Sequence, residues 1–280
     1  MRASKPIAGK NEYEMNPKCQ ERNEGLRVGA WPLHRKISAT SALYNSHRHT
    51  RDRSTISNRR NLLLHQRYKD IVFWGIAKAT LPNYLLRRYV MKAGPANGSR
   101  HLHLGCGPKY LPGFLNIDGN LFNKIDLWLD VRNGLPFPSN TVDSIYSTHM
   151  FEHFFADELQ LLMRECFRVL KPGAGIRLIV PHLGSAISAY SQQQSNWFYD
   201  SFPRHFDSLG GRFSNFVFCD GQHRTAFDFS YLDEMLRQSG FREVEESAEG
   251  RSRLYGNEVP PYEPTDSKDL PHSLYVEGFK

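Results

Sequence analysis

The chain has few cysteines and no long apolar run, and both absences exclude whole classes of protein. Its four cysteines are scattered without a Cys-x-x-Cys pair, which argues against a zinc ribbon or a disulfide framework and suits reduced thiols in a cytosol. No apolar stretch approaches the ~20 residues that span a bilayer, so we predict no membrane span. The basic N-terminus is not followed by an apolar segment, so we expect no secretory signal peptide and a cytoplasmic protein.

Positive charge is concentrated at the beginning of the chain. The first 100 residues hold 20 of the 36 Lys and Arg but 6 of the 29 Asp and Glu, a net charge of +14, whereas the remaining 180 residues carry −7. Residues 1–60 show no sustained apolar periodicity, which predicts a basic and mostly disordered arm. Such an arm can bind nucleic acid or anionic membranes, but a solvated extension without a binding role is the simpler interpretation.

Residues 61–98 predict a helical N-terminal extension. Apolar residues from Leu62 to Trp74 predict a helix that Pro82 interrupts, and Tyr84–Met91 predicts a second, short helix. The segment Ala93–Gly98 contains glycine and proline and places a domain boundary, so that residues 99–280 form the main domain.

Short strands and helices alternate after residue 100. Helices are predicted at Ala156–Leu170 and Ser230–Ser239, closed by Lys171-Pro172-Gly173 and by Gly240. The alternation predicts an α/β fold with an open, mostly parallel sheet and helices on both faces. The predicted strands are His101–Leu104, Phe114–Ile117, Asp126–Leu129, Val142–Ser147, Gly175–Val180, Arg242–Glu246 and Ser273–Phe279.

The sharpest local signal is a short strand that runs into Gly105-Cys106-Gly107. Glycines lack a Cβ atom, so a ligand can approach the backbone closely at such a turn. Pro108 and Lys109 depart from the dinucleotide-binding fingerprint, which requires a third glycine and the start of a phosphate-binding helix. A pyrophosphate site is therefore disfavoured.

Two aspartates, Asp118 and Asp130, follow at the ends of the second and third predicted strands. Ligands of open α/β sheets lie beyond the carboxyl ends of the strands. There Asp118 can accept hydrogen bonds from two ribose hydroxyls and Asp130 from an adenine amine, while the Val131 amide faces a ring nitrogen. The alternative is a pair of turn aspartates that only cap loops.

Taken in order, these motifs resemble the class I S-adenosylmethionine-dependent methyltransferases, and most of all the methyltransferase type 11 group of predicted bacterial enzymes. The resemblance implies a Rossmann-like, seven-stranded sheet with an antiparallel last strand, and S-adenosylmethionine as cofactor. It rests on Gly105-Cys106-Gly107, Asn116-Ile117-Asp118, Leu129-Asp130-Val131, Leu135-Pro136-Phe137-Pro138, Val142–Ser147, His149-x-x-Glu152-His153 and Arg168–Gly173. The cofactor-binding residues that it implies are Gly105, Cys106, Gly107, Asp118, Asp130, Val131 and Ser147.

The spacing departs from this family in one respect. Only eleven positions separate Gly107 from Asp118, so the helix after the first strand must be very short. One side of the cofactor then needs another cover, and the helices predicted at residues 61–91 are the candidate.

The segment His149-Met150-Phe151-Glu152-His153 also fits the inverted zinc-protease pattern, but it follows a strand that the protease fold does not provide. Ubiquinone-pathway and small-RNA O-methyltransferases are similar here, with a metal-binding Glu-x-x-Glu-His cluster that His223 would complete. His149 replaces the first Glu of that cluster, and we predict no metal. His153, His149 and His223 are instead the candidate general bases, since an alcohol acceptor must lose a proton. The alternative is a structural role, in which Glu152 and His153 bond the loop and the edge of the cofactor.

An aromatic-rich insertion is predicted at about residues 182–225, after the fifth strand. Its aromatic residues form either an acceptor pocket or a core of the insertion itself. The expected function is O-methylation of a small molecule or a glycan. Two alternatives stay open: an RNA-modifying methyltransferase that uses the basic arm, and a non-catalytic cofactor-binding or scaffold protein.

Overall fold

The computed structural model describes residues 70–91, 100–198, 206–260 and 269–280. These residues belong to one compact unit. The basic arm predicted at residues 1–60 and the domain boundary predicted at Ala93–Gly98 lie outside the described residues.

A seven-stranded sheet forms the centre of the molecule. Its strand order is β3-β2-β1-β4-β5-β7-β6, and all neighbours pair in parallel except β7, which runs antiparallel to both β5 and β6. This confirms the predicted Rossmann-like α/β class and the antiparallel last strand. The strands are β1 (His101–Leu104), β2 (Leu115–Asp118), β3 (Leu127–Trp128), β4 (Val142–Thr148), β5 (Leu170–Pro181), β6 (Glu243–Glu246) and β7 (Ser273–Phe279).

The first described helix, α1, spans residues 70–85 and continues into a π-helical turn at Leu86–Met91. The prediction that Pro82 interrupts it was wrong. A proline removes the hydrogen bond to the carbonyl four residues earlier, which here belongs to Lys78. Both Pro82 and Lys78 are exposed, so water can solvate the released carbonyl. Tertiary contacts also hold the helix, because Asn83 Nδ2 donates to the Trp128 carbonyl of β3 at 2.8 Å.

Helix α2 (Ala156–Val169) carries an apolar face that packs into the main core. As predicted, the helix stops beside Lys171-Pro172-Gly173, but Gly173 is not its cap, because the three residues belong to β5. The last carbonyls of α2 are capped instead by Lys280, whose Nζ donates to the Phe167 and Leu170 carbonyls at 2.7 and 2.8 Å. The buried residues of α2 are Leu159, Leu162, Met163, Cys166 and Val169.

The insertion contains helices α3 (Leu183–Ser191) and α4 (Leu209–Phe218), and helix α5 (Phe229–Gln238) follows it. As predicted, α5 is closed by Gly240, which has a φ of +113°. The insertion has its own small core of Ala186, Ala189, Phe198 and Phe216, so several of its aromatic residues are structural.

The connection between β1 and β2 differs from the predicted short helix, because none of residues 105–114 is helical. Part of the sheet surface is covered by loop residues instead, since Leu111 and Phe114 from this connection and Tyr255 from the β6–β7 connection pack around Tyr146 of β4. Among the described helices, none is long and apolar enough to cross a membrane.

Candidate active site

The glycine turn after β1 is held against the end of β2. The amides of Gly105 and Cys106 donate to the Ile117 carbonyl at 2.9 and 3.2 Å, and the Gly107 amide donates to Asp118 Oδ2 at 2.8 Å. Gly107 has a φ of +52°, and a Cβ atom there would meet no atom within 4 Å. The backbone at Gly107 is therefore open to a ligand, which fits a nucleoside cofactor beside Asp118.

Gly105 is constrained by the protein itself. Its φ is +66°, and a Cβ atom there would lie 2.4 Å from Met150 Cγ and 2.7 Å from Met150 Cβ. Met150 follows β4 in the chain, so the glycine allows the turn after β1 to pack against the turn after β4. A larger residue at Gly105 would therefore disturb this packing as well as ligand access.

Asp130 already has partners at the end of β3. Its carboxylate accepts from the Arg132 amide and guanidinium, with Arg132 Nη2 to Asp130 Oδ2 at 2.6 Å. The Asp130 amide donates to Thr80 Oγ1 of α1 at 3.2 Å, and Arg132 Nη2 donates to the Phe73 carbonyl of α1 at 2.9 Å. Helix α1 thus packs against the turn that carries the predicted adenine-binding residues. In that turn the half-buried Arg132 is paired with the buried Asp130.

The remaining predicted cofactor residues are buried. Cys106 is 2% exposed, and burial together with the charge of Asp118 raises the pKa of its thiol to about 12, so it is neutral and unreactive near neutral pH. Ser147 is 1% exposed and donates to the Leu104 carbonyl at 2.9 Å, which ties β4 to β1. Val131 is buried and begins a 3₁₀ turn.

The chain turns sharply after β4. His149 has a φ of +50°, a left-handed conformation that is costly for a residue with a side chain and often occurs at functional sites. Its amide still donates to the Ile179 carbonyl of β5 at 2.8 Å. Its Nδ1 lies 3.2 Å from Glu152 Oε1. The next three residues, Phe151–His153, form a 3₁₀ turn.

Glu152 is a buried carboxylate surrounded by imidazoles. Desolvation raises its pKa, but the hydrogen bond to His149 and the nearby charges of His149, His153 and His223 outweigh this effect and hold the pKa below its ordinary value. Burial lowers the pKa of His223, although Glu152 partly opposes this. Near neutral pH the site therefore combines an anionic carboxylate with a neutral His223 imidazole.

A backbone connection brings His223 to the turn after β4. The amides of Arg224 and Thr225 donate to the Glu152 carbonyl at 2.7 and 3.2 Å, and Thr225 Oγ1 donates to the Phe154 carbonyl at 2.8 Å. As a result the rings of His153 and His223 lie 5.2 Å apart in an edge-to-face arrangement. Potential ligand atoms of Glu152, His153 and His223 all lie within 4.8 Å of one another.

The structure places the predicted residues at one edge of the sheet, beyond the carboxyl ends of β1 to β4. It brings the rings of His153 and His223 together and places His149 Nδ1 within hydrogen-bond distance of Glu152 Oε1. The protease pattern is excluded geometrically, because His149 lies outside the 3₁₀ turn and cannot share a helical face with His153. Sequence reasoning missed Arg132 as the partner of Asp130.

The strand order and the glycine–aspartate turns are those of the class I methyltransferase sheet. A family profile described as "Methyltransferase domain" matches residues 110–178, which run from the β1–β2 connection, after the glycine turn, into β5. Residues 110–178 thus match a methyltransferase domain, within a sheet of the class I order. The enzyme is thus an S-adenosylmethionine-dependent methyltransferase, as its motifs predicted.

Solved structures of similar proteins include a methyltransferase from Thermotoga maritima, titled as a possible histamine N-methyltransferase. It is 14% identical over 79% of this chain and 97% of its own, with a TM-score of 0.39. A methyltransferase from Archaeoglobus fulgidus is 18% identical over 73% of this chain and 94% of its own, with a TM-score of 0.39. A methyltransferase from Mesorhizobium loti is 16% identical over 68% of this chain and 94% of its own, with a TM-score of 0.38. No curated protein sequence matches the chain.

Proposed function

We propose that the enzyme transfers a methyl group to a hydroxyl oxygen of a small molecule or a glycan in the cytosol. One observation supports this most: Glu152, His153 and His223 converge beyond β4, where the acceptor of a class I methyltransferase binds. An alcohol is a weak nucleophile and must lose its proton during or after attack, so an alcohol acceptor needs a group that handles that proton. A thiol or carboxylate acceptor would not need this cluster.

His153 is the most accessible member of the cluster. Its Nδ1 lies 3.1 Å from the Gln222 carbonyl, which can only accept, so Nδ1 carries the proton and Nε2 has a free lone pair. The exposed ring can meet a substrate.

The cofactor contributes an electrophilic methyl group on a positively charged sulfur, which keeps the electron pair when the carbon–sulfur bond breaks. In this proposal Asp118 holds the ribose, and Gly107 leaves space for it. The turn Val131–Asn133, backed by α1, binds the adenine. The protein's further task is alignment of the acceptor oxygen, and such positioning contributes roughly 7–11 kcal/mol in favourable cases.

The test is transfer of a radiolabelled methyl group from S-adenosylmethionine to a panel of hydroxylated metabolites and oligosaccharides. We expect an alkali-stable product, because methyl ethers survive base and methyl esters do not. His153→Ala should lower turnover by ~10²–10⁴-fold with nearly unchanged cofactor affinity. A labelled product that is lost in alkali, or full turnover by a well-folded His153→Ala variant, would contradict O-methylation through this cluster.

A further inference from the structure

Two histidines and a glutamate bring potential ligand atoms within 4.8 Å of one another beyond β4. Glu152 is 1% exposed, and its Oε2 accepts no hydrogen bond from any residue in the described ranges. A buried charged oxygen without a partner is costly, which indicates a missing positive group. We propose that Glu152, His153 and His223 bind one divalent transition-metal ion, and that this ion activates the acceptor hydroxyl.

The hydrogen bonds of the two imidazoles favour this role. His153 Nδ1 lies 3.1 Å from the Gln222 carbonyl, and His223 Nδ1 lies 3.1 Å from the Val217 carbonyl. Because carbonyls only accept, both Nδ1 atoms carry protons and both Nε2 atoms keep free lone pairs. Histidines that bind metals almost always donate their other ring N–H to a carbonyl or a carboxylate, since this fixes the tautomer and the ring orientation.

His149 positions the carboxylate. Its Nδ1 lies 3.2 Å from Glu152 Oε1, and its Nε2 lies 3.4 Å from Ser273 Oγ. One carboxylate oxygen is therefore held by His149, while Oε2 stays available to the ion. His149 acts through Glu152, and its strained left-handed backbone is what places its ring there. We expect its removal to weaken metal binding without removing a ligand.

The ligand set selects the class of ion. Two imidazole nitrogens and one carboxylate oxygen suit Zn²⁺, Fe²⁺, Co²⁺ or Mn²⁺, whereas Ca²⁺ and Mg²⁺ prefer oxygen ligands. Metal–ligand bonds of about 2.0–2.2 Å place neighbouring ligand atoms roughly 3–3.5 Å apart. The three groups lie within 4.8 Å of one another, so they must move closer on binding. The exposed ring of His153 is the most able to move.

This inference rests on the proposed function in one respect: the ion is proposed to activate the acceptor hydroxyl of that reaction. Three protein ligands leave coordination positions open, as in catalytic metal sites. A hydroxyl oxygen bound there loses its proton to water far more easily, since a bound divalent ion strongly lowers the pKa of an oxygen ligand such as water. His153 Nε2 then coordinates the ion and does not take the proton directly.

The experiment titrates Co²⁺ into the full-length protein after chelator treatment and dialysis, and follows visible d–d absorption. We expect one equivalent to bind and to be displaced by Zn²⁺. Glu152→Gln and His223→Asn should each weaken Co²⁺ binding by ~100-fold or more, and His149→Ala by ~10–100-fold. His101→Asn removes a histidine at the opposite end of β1 and should bind Co²⁺ like the wild type.

Thermal unfolding checks that the variants are folded, and His153→Ala provides a second test at an exposed position if the buried variants fail. The absence of stoichiometric Co²⁺ binding by the wild type, or equal binding by all variants, would overturn the metal site. If alcohols are methylated and chelation has no effect, the metal inference fails and O-methylation stands. If Co²⁺ binds as expected and no alkali-stable product forms, the metal site stands and the proposed function fails.

Discussion

A buried histidine in β1 makes the stability of the fold sensitive to acid. His103 is fully buried, and its Nδ1 lies 3.1 Å from Asn116 Oδ1. Asn116 Nδ2 donates to the Leu111 and Phe114 carbonyls, so Asn116 Oδ1 faces His103 and accepts. His103 Nε2 has no hydrogen-bond partner among the described residues. The folded protein therefore holds this ring neutral, with its proton on Nδ1.

Burial lowers the pKa of His103 from 6.5 to about 4, although the hydrogen bond to Asn116 partly opposes this. The unfolded chain takes up a proton near 6.5 and the folded chain does not, so acid favours unfolding. The loss in the free energy of unfolding begins as the pH falls below about 6.5 and is complete near pH 4. At 1.36 kcal/mol per pKa unit it amounts to about 3 kcal/mol in full, and to about 2 kcal/mol at pH 5.

The assay is urea unfolding at about pH 7.5 and about pH 5 for the wild type and His103→Asn. Asparagine does not titrate, and its Nδ2 can still donate to Asn116 Oδ1. On acidification, we expect the free energy of unfolding to fall by about 2 kcal/mol more in the wild type than in the variant. His101→Asn, at the exposed start of β1, should lose as much as the wild type. Equal losses by the wild type and His103→Asn would refute the assignment of a neutral, buried ring.

Three further predictions test the cofactor site, the sheet and the N-terminal arm. Asp118→Ala should weaken S-adenosylmethionine binding in calorimetry by ~1.5–3 kcal/mol, as for charged hydrogen bonds, and an unchanged affinity would remove Asp118 from the site. Glu277→Ala should cost ~3–5 kcal/mol in urea unfolding, because it removes the carboxylate that balances the buried charge of Arg177, its ion-pair partner at 2.8 Å. The double change Arg177→Met with Glu277→Leu should cost less than Glu277→Ala, and a larger cost would show that the pair itself stabilises the fold. A chain that starts at Asn61 should match the full chain in thermal midpoint, and it should lose any steeply salt-dependent RNA binding if the arm serves RNA.

Local patterns in the sequence were sufficient for the sheet. The first strands are short runs of buried residues, and glycine or aspartate stands at the ends of β1, β2 and β3, where the chain turns. For this reason β1, β4 and β7 begin where predicted, and β7 also ends there. The glycine turn and Asp118 could be placed beside each other because the carboxyl ends of parallel strands share one edge.

Helix ends depended on distant contacts. Helix α2 ends one residue before its predicted last residue, because Lys280 caps its carbonyls from the far end of the sequence. Helix α1 passes through Pro82 because the proline lies on an exposed surface while Asn83 and Thr80 bond to the third strand and its turn. Helix propensity describes the local free-energy cost of placing a residue in a helix, and these tertiary contacts outweigh that cost.

The histidine–glutamate cluster was determined partly by the sequence and partly by the tertiary structure. The sequence by itself determined that His149, Glu152 and His153 follow β4, since strand and motif are contiguous. The family resemblance predicted that His223 completes the cluster, but only the tertiary structure decided how: the amides of Arg224 and Thr225 bond to the Glu152 carbonyl about 70 positions away. Only the structure decided that His149 faces the other carboxylate oxygen. Spacing along a chain fixes neighbours within one element, whereas a site between elements depends on which backbone groups pair when the chain folds.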